Sequence, residues 1–250
     1  MILLNDIFII CVGFVASFVG SISGGAGLIS VPVLLLLGVP PHISLGTSNF
    51  GDVGFKLGNI IKFSQLKNLG VRWKDVLILT IIAVPATILG VTFVVSVDPS
   101  ILSKLIGGVL LILIPLMFVN KDLGIKENRA KGARLIWSHF AFFITRVWVG
   151  FFSPGSGFLE TYVKMKGYGY TILQGKAVTR IPHILAGIGG VIVFAVSDFI
   201  DYRLAILMFI GMLIGGYAGT AYAIRKGDKW LKPILGIIIV ATAIKMIFWN

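Results

Sequence analysis

The chain has little charge, few acids and almost no cysteine. Only 13% of its 250 residues are charged, with 10 Asp and Glu against 22 Lys and Arg, and Cys11 is the single cysteine. One cysteine inside an apolar stretch excludes a disulfide framework and a cysteine-rich metal site. The three histidines stand in no HExxH, Cys-containing or paired-carboxylate context, so neither a metal site nor another cofactor is expected. With 57% hydrophobic residues, against roughly 45–50% in soluble domains, the composition excludes a soluble globule.

What the chain has in excess is long uncharged runs. Val76 to Val97, Leu105 to Val119 and Leu204 to Ile224 carry no charge, and each approaches or exceeds the ~18 residues that mark a spanning helix. The expected fold is all-α and polytopic, with the lipid bilayer as partner. The opening MILLNDIFII has no basic leader and no small-residue cleavage site, so it reads as a retained first helix. A net charge of +12 would suggest nucleic acid in a soluble protein. Here the Lys and Arg residues flank apolar segments and set orientation, so nucleic acid is not an expected partner.

The sequence repeats itself at an offset of about 130 residues, too long for a solenoid and suited to a duplicated membrane bundle. SGGAGL (Ser23 to Leu28) aligns with SPGSGF (Ser153 to Phe158), and GTSN (Gly46 to Asn49) with AVTR (Ala177 to Arg180). Further on, Phe63 meets Phe194, Trp73 meets Tyr202, Gly90 meets Gly219 and Gly108 meets Gly236. The chain therefore divides into a first repeat, residues 1–119, a basic linker, 120–134, and a second repeat, 135–250, within one membrane domain. Three long segments are expected in each repeat: about 47–63, 75–97 and 103–119, then about 174–197, 203–224 and 232–249. A shorter pair split by a glycine-rich break precedes each set, at 7–21 with 28–38 and at 135–150 with 157–165.

Equivalent loops carry opposite charge. Lys62, Lys67, Arg72 and Lys74 match a stretch holding Asp198 and Asp201, and the Asp98-Pro99 loop matches one holding Arg225, Lys226, Lys229 and Lys232. By the positive-inside rule the two repeats enter the membrane in opposite senses. This places the three basic loops inside and both termini outside a multi-pass protein of the cell membrane.

The chemistry concentrates at the two breaks. Ser23, Gly24, Gly25 and Gly27 in the first, and Ser153, Gly155, Ser156 and Gly157 in the second, interrupt helices at membrane depth. Glycine there frees backbone N–H groups at a helix start, an anion-binding device; alternatively, small residues only let helices approach closely. Behind the breaks come Thr47, Ser48 and Asn49, then Thr179 and Arg180, expected at helix starts, where Thr47 also suits a plain cap. Asp52, Lys56, Arg146, Glu160 and Arg180 are charges at membrane depth, costly enough that they should converge. Asp52 and Lys56 are spaced to pair on one helix face, and Arg146 and Glu160 to pair across the second break. Arg180 suits an anion ligand or a salt bridge to Asp52 or Glu160, while Asp52, Glu160 and His183 are candidates for accepting a coupling proton. His42 and His139 read as interfacial, and Trp73, Trp137, Trp230 and Trp249 as an aromatic belt.

SGGAGLISVPVLLLLGVPPHISLGTSN (Ser23 to Asn49), with the duplicated layout and chain length, resembles the sulfite exporter TauE/SafE family, also called the TSUP permeases. That resemblance implies secondary transport of small sulfur oxyanions or organosulfonates such as sulfite, thiosulfate or sulfoacetate. The residues themselves support a small anion, moved by alternating access around a midplane site, and no enzymatic cluster. A carboxylate or inorganic-anion permease, and a passive anion channel, are the alternatives.

Overall fold

The computed structural model describes residues 2–23, 25–65, 70–98, 101, 128–151 and 156–248, by backbone alone beyond residue 225. The expected segment 103–119 and most of the 120–134 linker lie outside these residues. Eight α-helices and one π-helical segment are described, with no strand among the described residues: α1 (Ile2–Ser23), α2 (Gly27–Leu36), α3 (Pro41–Ser64), α4 (Trp73–Val95), α5 (Ala133–Phe151), α6 (Ser156–Tyr162), π1 (Val163–Tyr168), α7 (Ile172–Val196) and α8 (Tyr202–Phe248). By length and composition, α4, α7 and the Tyr202–Arg225 part of α8 can cross a membrane.

Two boundaries differ from the sequence expectation. α3 begins at Pro41, with proline at its first turn, where a missing N–H costs nothing; Thr47, Ser48 and Asn49 therefore lie inside the helix. Likewise α7 begins at Ile172 under a capping box in which Thr171 accepts from the Gln174 N–H, so Thr179 and Arg180 sit two turns in. The basic stretch Arg225 to Lys232, expected as a loop, is helical within the 47-residue α8. Its Lys, Trp and Leu residues all tolerate a helix, and Gly227 alone does not stop one.

The helices form two groups. α1, α2, α3 and α8 pack together, as do α4, α5, α6, π1 and α7, and the groups meet along α3 and α7. Glycine sets the distances within them. A methyl group on Gly211, Gly215 or Gly219 of α8 would collide with the carbonyls of Ile10, Phe14 or Phe18 on α1, and Gly90 and Gly150 bring α4 and α5 equally close. This four-residue spacing of small residues lets helices pack by close backbone approach in lipid.

At the end where α7 turns into α8, the groups share a core of Leu28, Val31, Leu45, Val91, Val94, Phe194, Ile200 and Ala205. The Asp201 N–H donates to Thr47 Oγ1 at 3.0 Å, and His42 Nε2 donates to Val94 O at 3.0 Å. His42 is thus buried against the end of α4. At the opposite, basic end, Asp75 accepts from Arg72, from Arg129 at 3.1 Å and from the Tyr170 hydroxyl at 2.8 Å. Burial and the bonded Asp75 carboxylate push the Tyr170 phenol above its ordinary pKa. Trp73 and Trp137, at the starts of α4 and α5, are exposed; Trp249 lies outside the described residues, and Trp230 is described by backbone alone.

Candidate functional site

Between the two groups lies a cavity of about 100 Å³, lined by residues from every described helix except α2. Its first wall is α1, α3 and α8. On α3, Asn49, Asp52, Lys56 and Asn59 recur every three or four residues, which puts them on one helix face. α7 leaves room for them: a Cβ on Gly187 would lie 2.7 Å from Lys56 Nζ, and one on Gly190 3.3 Å from Asn49 Oδ1. Lys56 Nζ stands 3.6 Å from Asp52 Oδ2, the expected pair in a loose form. Below them, the Asn59 side-chain carbonyl accepts from Thr220 at 2.5 Å and from Ser21 at 3.4 Å, joining α1, α3 and α8.

The second wall centres on Glu160. Arg146 Nη1 donates to its Oε2 at 3.0 Å, while Lys164 Nζ at 3.2 Å and His183 Nε2 at 2.5 Å share Oε1. Arg146 also donates to Thr87 Oγ1 at 2.8 Å, and Lys164 to Thr179 Oγ1 at 3.3 Å. Arg146, Glu160 and Lys164 are each no more than 4% exposed. The three nitrogen partners, not water, satisfy this buried carboxylate. Lys164 reaches the cluster from π1, the kind of segment that recurs at functional sites.

Arg180 lines the same cavity and stands apart from this cluster. Glu160 is occupied by Arg146, Lys164 and His183, and Asp52 by Lys56; among the described residues, no carboxylate lies within 4.0 Å of the Arg180 guanidinium. Among the described residues, Lys56, Arg146, Lys164, Lys176 and Arg180 line the cavity with Asp52 and Glu160, an excess of three cations.

The structure therefore brings together all five charges the sequence singled out, with His183, Asn49, Thr179, Gly25 and Gly157 beside them. Gly25 meets no atom within 4 Å of an added Cβ, so close packing does not require glycine there. Thr47 and Ser48 are buried outside the cavity lining: Thr47 holds the α7–α8 turn, and the Ser48 and Ser30 hydroxyls are 2.6 Å apart. Gly27 opens α2, buried and off the cavity wall. Gly24, Ser153 and Gly155 lie outside the described residues, and Ser23 and Ser156 are described by backbone alone. Sequence reasoning missed Lys164 and Lys176, although the four-residue spacing of Glu160 and Lys164 was a legible pairing signal. Nothing in the local sequence marks Ser21, Asn59, Thr87 or Thr220 as their neighbours.

The family model of the sulfite exporter TauE/SafE family matches residues 9–246. The chain belongs to the TauE/SafE family. Family members similar to it include a "Probable membrane transporter protein" of Haemophilus influenzae, 25% identical over 95% of this chain and 92% of that one. Another, "Probable membrane transporter protein ORF9" of a Sinorhizobium species, is 28% identical over 96% of this chain and 91% of its own. "Probable membrane transporter protein YfcA" of Escherichia coli K12 is 23% identical over 95% and 87%. No solved structure matches the chain at a significant level. TauE/SafE membership and the apolar helices make this a membrane transporter.

Proposed function

We propose that this chain is a secondary transporter of a small sulfur-containing anion such as sulfite, thiosulfate or an organosulfonate, and not an enzyme. The observation that carries the reading is the cavity's excess, among the described residues, of three cations, with no described carboxylate within 4.0 Å of Arg180. Net positive charge at membrane depth is costly, and an anion with several oxygens is the ligand that a forked guanidinium neutralises with two parallel hydrogen bonds. The family description, sulfite exporter, supports sulfur. Asn49 and Thr179 supply polar groups in the same cavity as Arg180, and an added Cβ at Gly25 would meet open space. Glu160 with His183, and Asp52, are the groups through which a proton would couple.

Counterflow in proteoliposomes tests the function. Labelled sulfite or thiosulfate should exchange against the same unlabelled anion, with acetate and chloride at least about tenfold weaker competitors, the difference that one charge-assisted hydrogen bond makes. Equal competition by acetate would turn the reading toward a general carboxylate permease. Conductive chloride flux without counterflow would turn it toward a channel.

Alternating access in this reading comes from two inverted repeats. Reciprocal packing supports it: α1 lies on α8 as α5 lies on α4, and α3 lies on α8 as α7 lies on α4. In a Cys11→Ala background, Lys74→Cys and Ser197→Cys should react with an impermeant reagent from opposite faces of the membrane. Reaction of both from one face would end the inverted arrangement.

A further inference from the structure

The apolar seals at the two ends of the cavity are unequal. At the α7–α8 turn the two helix groups share eight buried residues. At the basic end, the buried cluster that joins them among the described residues is Ile22 of α1, Ile172 of α7 and Ala223 of α8. A three-residue seal has less apolar surface to expose on parting than an eight-residue one.

Lys176 sits one turn into α7 from Ile172, on the same helix face, and lines the cavity. Its ammonium crosses between the groups and donates to the carbonyls of Ser21 and, at 3.2 Å, Ile22. These are last-turn carbonyls of α1, which lack N–H partners within their helix and carry the negative end of its dipole. We propose that Lys176 is a gate residue: it ties α7 to the end of α1, keeps the Ile22–Ile172–Ala223 seal shut, and releases it when an anion in the cavity competes for its ammonium. The release step rests on the anion-binding function proposed above. An oxyanion competes well because a hydrogen bond between two ions is roughly twice as strong as one to a neutral carbonyl.

The test uses full-length protein in nanodiscs carrying Ala223→Cys and Cys11→Ala, and reads the rate of N-ethylmaleimide labelling. Without anion, Lys176→Met should raise the rate about tenfold, the loss of one hydrogen bond from a charged group, while Lys176→Arg stays near the parent. Ile172→Ala, which thins the seal without touching charge, should give a similar rise. In the parent, millimolar sulfate should raise the rate severalfold, and in Lys176→Met it should add nothing. Labelling unchanged by Lys176→Met while Ile172→Ala raises it would overturn the gate. A rise in Lys176→Met with no sulfate response in a parent that exchanges labelled sulfite would overturn the release step. Absence of sulfite exchange in the parent, with the Lys176→Met rise intact, would count against the transport function and leave the tie between α7 and α1 standing.

Discussion

Arg180→Gln should abolish sulfite exchange while the protein expresses and melts as the wild type does. The side chain lines the cavity with no carboxylate partner among the described residues, so its removal strands no opposite charge there and should leave the fold intact. Transport loses the forked donor that orients the anion. Arg180→Lys keeps the charge but not the fork, so substrate affinity should fall roughly 10- to 100-fold, the worth of about 1.5–3 kcal/mol from a charge-assisted hydrogen bond. The structure separates this from the salt-bridge alternative, because Glu160 and Asp52 are already engaged by other cations. Concentration-dependent uptake together with thermal melting checks both variants. Wild-type half-saturation in Arg180→Gln would remove Arg180 from the site, and a collapse in melting temperature would make it structural.

Glu160→Gln should fail in the opposite way, through the fold. The carboxylate is buried and neutralises Arg146 and Lys164, themselves buried. A neutral amide in its place leaves two uncompensated cations, and breaking one buried pair costs about 3–5 kcal/mol. The expected result is a large loss of folded protein in detergent, visible as a lowered melting temperature and poor expression. Adding Lys164→Met removes one of the stranded charges and should recover part of the stability. A Glu160→Gln protein that melts as the wild type does would show that the cluster does not hold α5, α6 and α7 together, and would leave Glu160 to a transport role alone.

Much of this site was legible in the sequence because burying charge in lipid is expensive. Cost alone required Asp52, Lys56, Arg146, Glu160 and Arg180 to converge, and they line one cavity. Helix spacing gave the Asp52–Lys56 pair, and position on either side of the second break gave Arg146–Glu160. Hydropathy gave the long helices but not their starts. The polar face of α3 dilutes its apolar signal, so hydropathy omits the six residues from Pro41 to Gly46 and puts Thr47 at a helix start, whereas its partner is the Asp201 N–H. That bond joins residues 154 positions apart, and no local pattern encodes it. Lys176 was missed for the same reason: its partners are backbone carbonyls on another helix, and a carbonyl leaves no mark in the sequence. The glycines show the limit most clearly. Gly25 and Gly215 are both glycines at membrane depth, yet one fronts open space and the other is pressed against Phe14 O.

The measurement that reaches the central claim most directly is diffraction from crystals soaked in selenite, a sulfite analogue located by its anomalous scattering. The account predicts a selenium peak inside the cavity, within hydrogen-bonding reach of the Arg180 guanidinium and beside Asn49 and Thr179, and its loss in Arg180→Gln. Selenium bound elsewhere with the cavity empty, or a peak unchanged in Arg180→Gln, would contradict it.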